Sequence, residues 1–184
     1  DESPTGCWTN HHSIIEFKNQ WYLFYHHNDY SPTFDKARSV RADVLTFNAD
    51  GTIKKVIPTL RGIGVTSAAK EIQMDRYSNI SEKGASIAFV DEADTFKGWK
   101  TVLSQSNAWI EYNTVDFGKK RLKSVTVKAI SATGGTLQIR TNGINGTVIA
   151  EVKIPVSTAW QNIKVPAKKF EAGIQNLSVI LLEN

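Results

Sequence analysis

The sequence has few of the residues that cross-link chains or span membranes. Cys7 is the only cysteine among 184 residues, so no disulfide can form within the chain and no cysteine-based zinc site is encoded. No apolar run approaches the roughly 20 residues of a membrane-spanning helix, so we expect no membrane partner. Twelve glycines and five prolines are too few for a collagen-like or low-complexity chain. No segment shows the 3.6-residue apolar spacing of a helix.

The composition that remains is that of a folded protein with a small basic excess. Hydrophobic residues make up 41% and charged residues 22%, and the formal net charge is +4. Because residues 1–66 carry seven basic and seven acidic side chains, the whole excess lies in residues 67–184. The densest basic cluster, Lys119 to Arg121, directly follows Gly118 and indicates a solvated hairpin tip. With no recognisable module signature, we expect no nucleic-acid partner.

Residues 1–65 predict one small antiparallel sheet. Four strands are indicated, around residues 13–17, 21–25, 39–47 and 52–57, and the run 48–51 (Asn-Ala-Asp-Gly) is a strong turn signal. Residues 21–25 read Trp-Tyr-Leu-Phe-Tyr, an apolar run typical of a strand buried on both faces. A four-stranded sheet of this size is one propeller blade, and it cannot bury two apolar faces by itself.

Residues 66–184 predict a second, separate domain after a linker of small residues. The predicted strands cover residues 87–90, 108–112, 122–129, 135–140, 148–154, 161–165 and 177–182. Many of them alternate apolar and polar residues, and glycine-containing turns separate them. This spacing is typical of an all-β sandwich or barrel. Trp109, within the 108–112 strand, is predicted to lie in its core.

The first segment resembles the last blade of glycoside hydrolase family 43, on residues 8–26, on Arg38-Ser39-Val40 and on residues 48–53. The resemblance implies a five-bladed β-propeller with arabinofuranosidase or xylosidase activity and an inverting mechanism. It also implies that the catalytic carboxylates lie on earlier blades. Since the sequence starts at Asp1, without Met or signal peptide, we expect a processed or partial chain whose missing N-terminal blades are its partners.

Two residues of this blade are candidates for supporting catalytic roles. The resemblance places His12 beneath the active site, where an imidazole can orient a carboxylate or a metal-bound water. It places Arg38 where it can contact substrate hydroxyls or a catalytic carboxylate. The alternatives are a His12 side chain satisfied by backbone groups and an Arg38 side chain in a surface salt bridge.

The second segment resembles carbohydrate-binding module family 6, a jelly-roll β-sandwich. The residues that carry this resemblance are 72–78, Gly98-Trp99, 108–112, 134–140 and 157–161. The family clamps one sugar between two aromatic rings in a cleft among loops, and by position these rings are Trp99 and Trp160. An aromatic face suits the apolar side of a pyranose. The alternative is that both tryptophans belong to the core.

The same resemblance implies a structural calcium ion held by Gln73 and Asp75. Oxygen donors two residues apart on a strand point to the same side, as one cation requires. The alternative is an ordinary polar strand edge. Where the family normally has two carboxylates, Gln73 is neutral and Asp75 is shorter than the usual Glu. The family also continues into a last strand with a cleft asparagine and a calcium-ligating aspartate, and both are missing from a chain that ends at Asn184.

The sequence therefore predicts an all-β chain: the last blade of a five-bladed propeller in residues 1–65 and a jelly-roll sandwich in residues 66–184. The functional prediction is the C-terminal part of a hydrolase acting on xylan or arabinoxylan in plant cell walls. A secreted, periplasmic or cell-surface bacterial location follows from the resemblance. The alternative is a non-catalytic carbohydrate-binding protein with a structural propeller remnant.

Overall fold

In the computed structural model the chain forms two compact units, residues 1–63 and residues 64–184. The structure describes residues 11–27, 38–59, 62–119 and 122–183. Among these residues the only helix is a 3-10 turn at Thr95–Lys97, and all other regular structure is strand. No helix in the described ranges is long and apolar enough to cross a membrane. The predicted all-β class is confirmed.

The first unit contains a three-stranded antiparallel sheet. Its strands are β1 (His12–Phe17), β2 (Gln20–His27) and β3 (Ser39–Leu45), in the order β1-β2-β3. Lys18 and Asn19 connect β1 to β2 with φ values of 52° and 59°. Positive φ at both central residues is the geometry of a type I′ turn, which fits the twist of a hairpin. The polar turn predicted at this point therefore sets the register of the first two strands.

The predicted fourth strand of this unit, residues 52–57, is not a regular strand in the structure. The Asn48–Gly51 turn forms as expected, with Gly51 at a φ of 84° and Asp50 Oδ1 accepting a hydrogen bond from Thr52 N at 3.0 Å. After it, a single β-bridge joins Phe47 to Ile53. Lys54 N still donates to Thr46 O at 2.9 Å, but Pro58 has no N–H to offer a ladder.

The two faces of the first sheet differ in burial. Register places His12, Tyr25 and Arg41 in one row across the three strands, on the face that also holds buried Leu45 and Asp43. On the opposite face apolar side chains remain exposed, with Phe17 at 59% and Val40 at 81%; the others are Ile15, Phe24 and Val44. This matches the sequence-based expectation of a sheet that cannot cover both faces by itself.

The buried face of this sheet is held together by a polar cluster around Asp43. The Asp43 carboxylate accepts hydrogen bonds from Tyr25 OH at 2.5 Å, from Thr59 N at 3.2 Å and from Thr59 Oγ1. Arg41 donates from Nε to His27 Nε2 and from Nη1 to Thr59 O at 2.6 Å. A buried charge persists only with such partners, so the cluster ties residue 59 to β2 and β3.

The described residues of the second unit form ten strands. In chain order they are β4 (Thr66–Ser67), β5 (Asn79–Ile80), β6 (Ala85–Phe89), β7 (Trp99–Leu103), β8 (Trp109–Asp116), β9 (Ser124–Ala129), β10 (Gly135–Thr141), β11 (Thr147–Ile154), β12 (Gln161–Pro166) and β13 (Ile174–Glu183). A six-stranded sheet runs β11-β10-β13-β8-β4, with β5 also paired to β8. The remaining strands form two antiparallel pairs, β9 with β12 and β6 with β7.

The core of the second unit lies against its six-stranded sheet. Alternate residues of the strands are almost fully buried, among them Ile110, Tyr112, Val152 and Val179. Each such side chain contributes roughly 1.5–3 kcal/mol by leaving water. The apolar residues of the β9–β12 pair, such as Val127, are only half-buried.

All seven strands predicted for this unit are present, as β6 and β8–β13. The sequence analysis missed β4, β5 and β7. Strands β4 and β5 have two residues each, which is too short for an alternating pattern, and they exist only because β8 offers free edges for pairing. Strand β7 pairs along its whole length with β6.

We expect Asp43→Asn to destabilise the first unit by about 1–3 kcal/mol. The amide has one accepting oxygen where the carboxylate has two, so at least one buried donor loses its partner. Hydrogen exchange of the β2 and β3 amides in the full chain, followed by mass spectrometry, measures this directly. Glu16→Gln, on exposed β1, is the matched control and should leave exchange unchanged. Identical exchange in the Asp43→Asn variant and the parent would contradict a stabilising role of the cluster.

Candidate functional site

A polar pocket lies where β8 begins. Its volume is about 530 Å³, and its lining residues are Asn79, Ile80, Ser81, Glu82, Lys83, Gln105, Ser106, Asn107, Ala108 and Trp109. Two segments shape it: Ser81 N donates to Trp109 O at 3.0 Å, and Trp109 N donates to Ser81 Oγ at 3.1 Å. Asn107, at a φ of 65°, donates from its N–H to Leu181 O at 2.6 Å. The pocket therefore rests on hydrogen-bonded backbone.

Trp109 lines this pocket, which corrects its prediction as a core residue. Ile110 and Tyr112 lie on the side of β8 that faces the core, and both are fully buried. Trp109 is half-buried and points to the opposite face of the strand. The apolar composition of the run 108–112 does not show which of its large residues face outward; register against β13 decides that.

A chain of hydrogen-bonded polar groups continues along the same outward face of the sheet. Ser178 Oγ donates to Glu111 Oε2 at 3.0 Å, and Gln138 Nε2 donates to Glu151 Oε2 at 3.1 Å. Arg140 Nε donates to Gln138 Oε1 at 2.6 Å. Ser178 and Gln138 are themselves buried, and their bonds fix the orientation of the more accessible Glu111, Arg140 and Glu151 side chains. Ordered carboxylate and guanidinium groups near an aromatic ring suit a ligand with an apolar face and a hydroxyl rim.

Trp160 is partly exposed at the start of β12. Its relative exposure is 38%, and Lys128 Nζ lies 5.9 Å from the centre of its ring. The preceding loop is held by Ser157, whose Oγ accepts from Ala159 N at 3.0 Å and whose N–H donates to Ser131 O at 2.8 Å. The ring is therefore presented to solvent from an ordered loop, as its predicted stacking role requires.

Trp99 is placed differently. It is the first residue of β7, it is half-buried, and its ring stacks on Phe89 with centroids 4.0 Å apart and planes 26° apart. The Met74 carbonyl accepts from both Thr101 Oγ1 (2.9 Å) and Tyr112 OH (2.6 Å), which sets the middle of β7 beside the middle of β8. Because β7 ends close to the start of β8, Trp99 lies toward the far end of β8.

Trp160 lies at the other end of the sandwich. Gln161, next to it, pairs with Ala129, and the adjoining loops meet where β10 starts and β13 ends. Strand β8 starts at this same end, since Trp109 pairs with Ile180. The strand topology therefore does not bring Trp99 and Trp160 together as a clamp around one sugar.

The predicted calcium ligands lie in a turn and not on a strand. Arg76 N donates to Gln73 O at 3.1 Å, and Arg76 Nε donates to Gln73 Oε1 at 2.8 Å, so the amide oxygen faces a guanidinium. Asp75 is half-buried. Calcium takes six to eight oxygen ligands, backbone and amide carbonyls among them, so the calcium ion at Gln73 and Asp75 stays a prediction.

The two predicted blade residues are both exposed and belong to different local groups. His12 opens β1 opposite Tyr25, in the row that leads to Arg41. Arg38 precedes β3 and acts on His26, whose imidazole has a lowered pKa through partial burial first, then the charge of Arg38, then His11. His26 Nε2 accepts a hydrogen bond from His11 N at 3.1 Å. Within the described ranges no hydrogen bond joins His12 to Arg38.

The sequence analysis missed Tyr25, Arg41 and Asp43, which form the polar cluster on the His12 side of the sheet. The signal is present in the sequence: Arg41 and Asp43 stand two apart in a strand whose neighbours are apolar. Charges at that spacing point to one face and need buried partners.

Comparison with known proteins finds relatives for both segments of the chain. Residues 81–181 match the model of carbohydrate binding module family 6. The chain is 24% identical to an arabinoxylan arabinofuranohydrolase of Paenibacillus polymyxa, over 93% of this chain and 28% of that protein. It is 46% identical over 55 residues to a beta-xylosidase of Xylanibacter ruminicola, covering 29% of this chain and 17% of that protein. The chain thus spans less than a third of either relative.

Two solved structures share the fold. A glycoside hydrolase family 43 arabinoxylan arabinofuranohydrolase from Bacillus subtilis aligns with a TM-score of 0.66 at 22% identity, over 97% of this chain and 38% of that one. A family 6 module from Clostridium stercorarium aligns with a TM-score of 0.58 at 18% identity, over 65% of this chain and 89% of that one. Both resemblances found in the sequence are confirmed: the chain belongs to carbohydrate-binding module family 6 through residues 81–181, and as a whole it is similar to a glycoside hydrolase family 43 arabinoxylan arabinofuranohydrolase.

Proposed function

We propose that this chain is the C-terminal part of a glycoside hydrolase acting on arabinoxylan, and that its module binds the polysaccharide. The observation that carries the binding half is the pocket at Trp109, with its hydrogen-bonded polar neighbours, in a member of a carbohydrate-binding family. Trp160 is a second stacking surface, at the same end of the sandwich. Two relatives, an arabinoxylan arabinofuranohydrolase and a beta-xylosidase, support the choice of polysaccharide.

The catalytic half of the proposal assigns a supporting role to the first unit. An inverting glycosidase needs two carboxyl groups flanking the scissile bond. Of the described carboxylates in this unit, Asp43 is buried among Tyr25 and Thr59, Asp50 caps a hairpin turn, and Glu16 is exposed on β1. None is arranged as a catalytic pair. The acid and base are therefore proposed to come from the part of the relatives that this chain does not span, with His12 as a positioning residue.

A non-catalytic carbohydrate-binding protein is the second candidate. The observation that favours it is the same distribution of carboxylates, since Asp43 and Asp50 are engaged in hydrogen bonds within the described part of the first unit. Hydrolysis by the full-length parent separates the two candidates.

We expect Trp109→Ala and Trp160→Ala each to weaken binding to arabinoxylan about tenfold or more, which corresponds to about 1.4 kcal/mol. Affinity electrophoresis of the whole chain in gels containing arabinoxylan measures this, with near-ultraviolet circular dichroism to verify folding. Phe96→Ala is the matched control, because Phe96 is a fully exposed aromatic residue in the β6–β7 loop. If neither tryptophan variant changes migration while the parent chain is retarded, the binding site lies elsewhere in the chain.

We expect His12→Ala in the full-length parent to lower kcat on arabinoxylan by at least about tenfold, because an orienting imidazole is lost. Added imidazole should restore part of the rate, a rescue that a purely structural defect would not give. Glu16→Gln is the control on the same strand. An alanine variant with full turnover would remove His12 from the catalytic machinery.

A further inference from the structure

The outward face of the β9–β12 pair is exposed and basic. Thr126, Lys128, Asn162 and Lys164 all point outward and are exposed, whereas the alternating residues Val125, Val127, Ile163 and Val165 are half-buried. Neither strand contains an acidic residue. Part of the basic excess of residues 67–184 thus lies on this surface of the module.

The two lysines of this face are near neighbours. Lys128 pairs with Asn162 and Lys164 pairs with Thr126, so the lysines lie diagonally across the strand pair. Diagonal neighbours have Cα atoms roughly 7–8 Å apart, within reach of long side chains. The ion pairs found among the described residues involve only Lys97 with Asp91 and Asp94, so no described carboxylate neutralises either ammonium group.

Trp160 completes this surface. It stands two residues before Asn162, and Lys128 Nζ lies 5.9 Å from its ring centre. The ring and the two ammonium groups therefore line one side of the module, which we call the lysine–tryptophan face (Lys128, Trp160 and Lys164). A face with one aromatic plane and two uncompensated cations suits a ligand that has an apolar surface and a nearby anionic group.

We propose that the lysine–tryptophan face binds a polysaccharide that carries carboxylates, that is, one with uronic acid residues. Trp160 takes the C–H side of a sugar ring, and Lys128 and Lys164 receive the carboxylate. This inference rests on the proposed function, since it assumes that Trp160 stacks on sugar, and it adds the charge class of the ligand. A nucleic acid fits less well, because two lysines and one ring do not form the extended basic stripe that a phosphate backbone needs.

The test compares one polymer in two charge states. Methylglucuronoxylan and the same polymer with its carboxyl groups reduced to alcohols have the same backbone and differ in charge. We expect the whole chain to bind the native polymer about five- to tenfold more tightly at low salt, with the difference shrinking as salt is added, because screening weakens exposed charge pairs. Affinity electrophoresis and calorimetry at several salt concentrations measure it.

The variants assign the effect to this face. Lys128→Gln with Lys164→Gln should remove the preference for the native polymer and leave binding to the reduced polymer unchanged. Lys54→Gln with Lys70→Gln lowers net charge equally at two other exposed positions and should keep the preference. Trp160→Ala should weaken binding to both polymers.

Three results would overturn the inference. Equal binding of the native and the reduced polymer by the parent chain would contradict the inference and leave the proposed function intact. If the parent chain binds neither polymer, the proposed function itself is wrong. Competition by polyglutamate or single-stranded DNA as effective as competition by the uronic acid polymer would show that charge alone is recognised.

Discussion

The structure depends on the withdrawal of the apolar side of each sheet from water. In the second unit, Ile110, Tyr112, Val152 and Val179 lie on one side of the six-stranded sheet and are almost completely withdrawn from water. This burial is the main favourable contribution to the fold. Because the period of a strand is two, the same constraint sends Trp109, Glu111 and Gln138 to the opposite side. The placement of these side chains is thus a direct consequence of how the core is filled.

The polar groups on the Trp109 side of the sheet are already ordered, partly by hydrogen bonds from the buried Ser178 and Gln138. Ser178 bonds to Glu111, and Arg140 bonds to Gln138, which in turn bonds to Glu151, so these side chains have lost much of their rotamer freedom before any ligand arrives. A preorganised face binds more tightly than a mobile one, since less entropy is lost on association. The loop that carries Trp160 is ordered in the same way through Ser157.

In the first unit only one of the two faces of the sheet is covered. One face of its sheet encloses Asp43 with Tyr25 and Thr59, while Phe17 and Val40 on the other face remain in water. A sheet of this size is stable when other elements pack on its apolar face, and only marginally stable by itself. This agrees with the resemblance of the first segment to glycoside hydrolase family 43, which implies that the unit is one blade among several.

The sequence by itself determined the all-β class and both family resemblances, because alternation, turn residues and long specific runs are local signals. Only the tertiary structure decided which aromatic residues face outward. Trp109 and Tyr112 occupy one apolar run, yet register against β13 leaves the first half-buried on the outer side of the sheet and buries the second completely. Likewise Trp99 and Trp160 look equivalent in sequence, but β7 and β12 start at opposite ends of the sandwich. Such placements depend on contacts between residues far apart in the chain, which no local pattern contains.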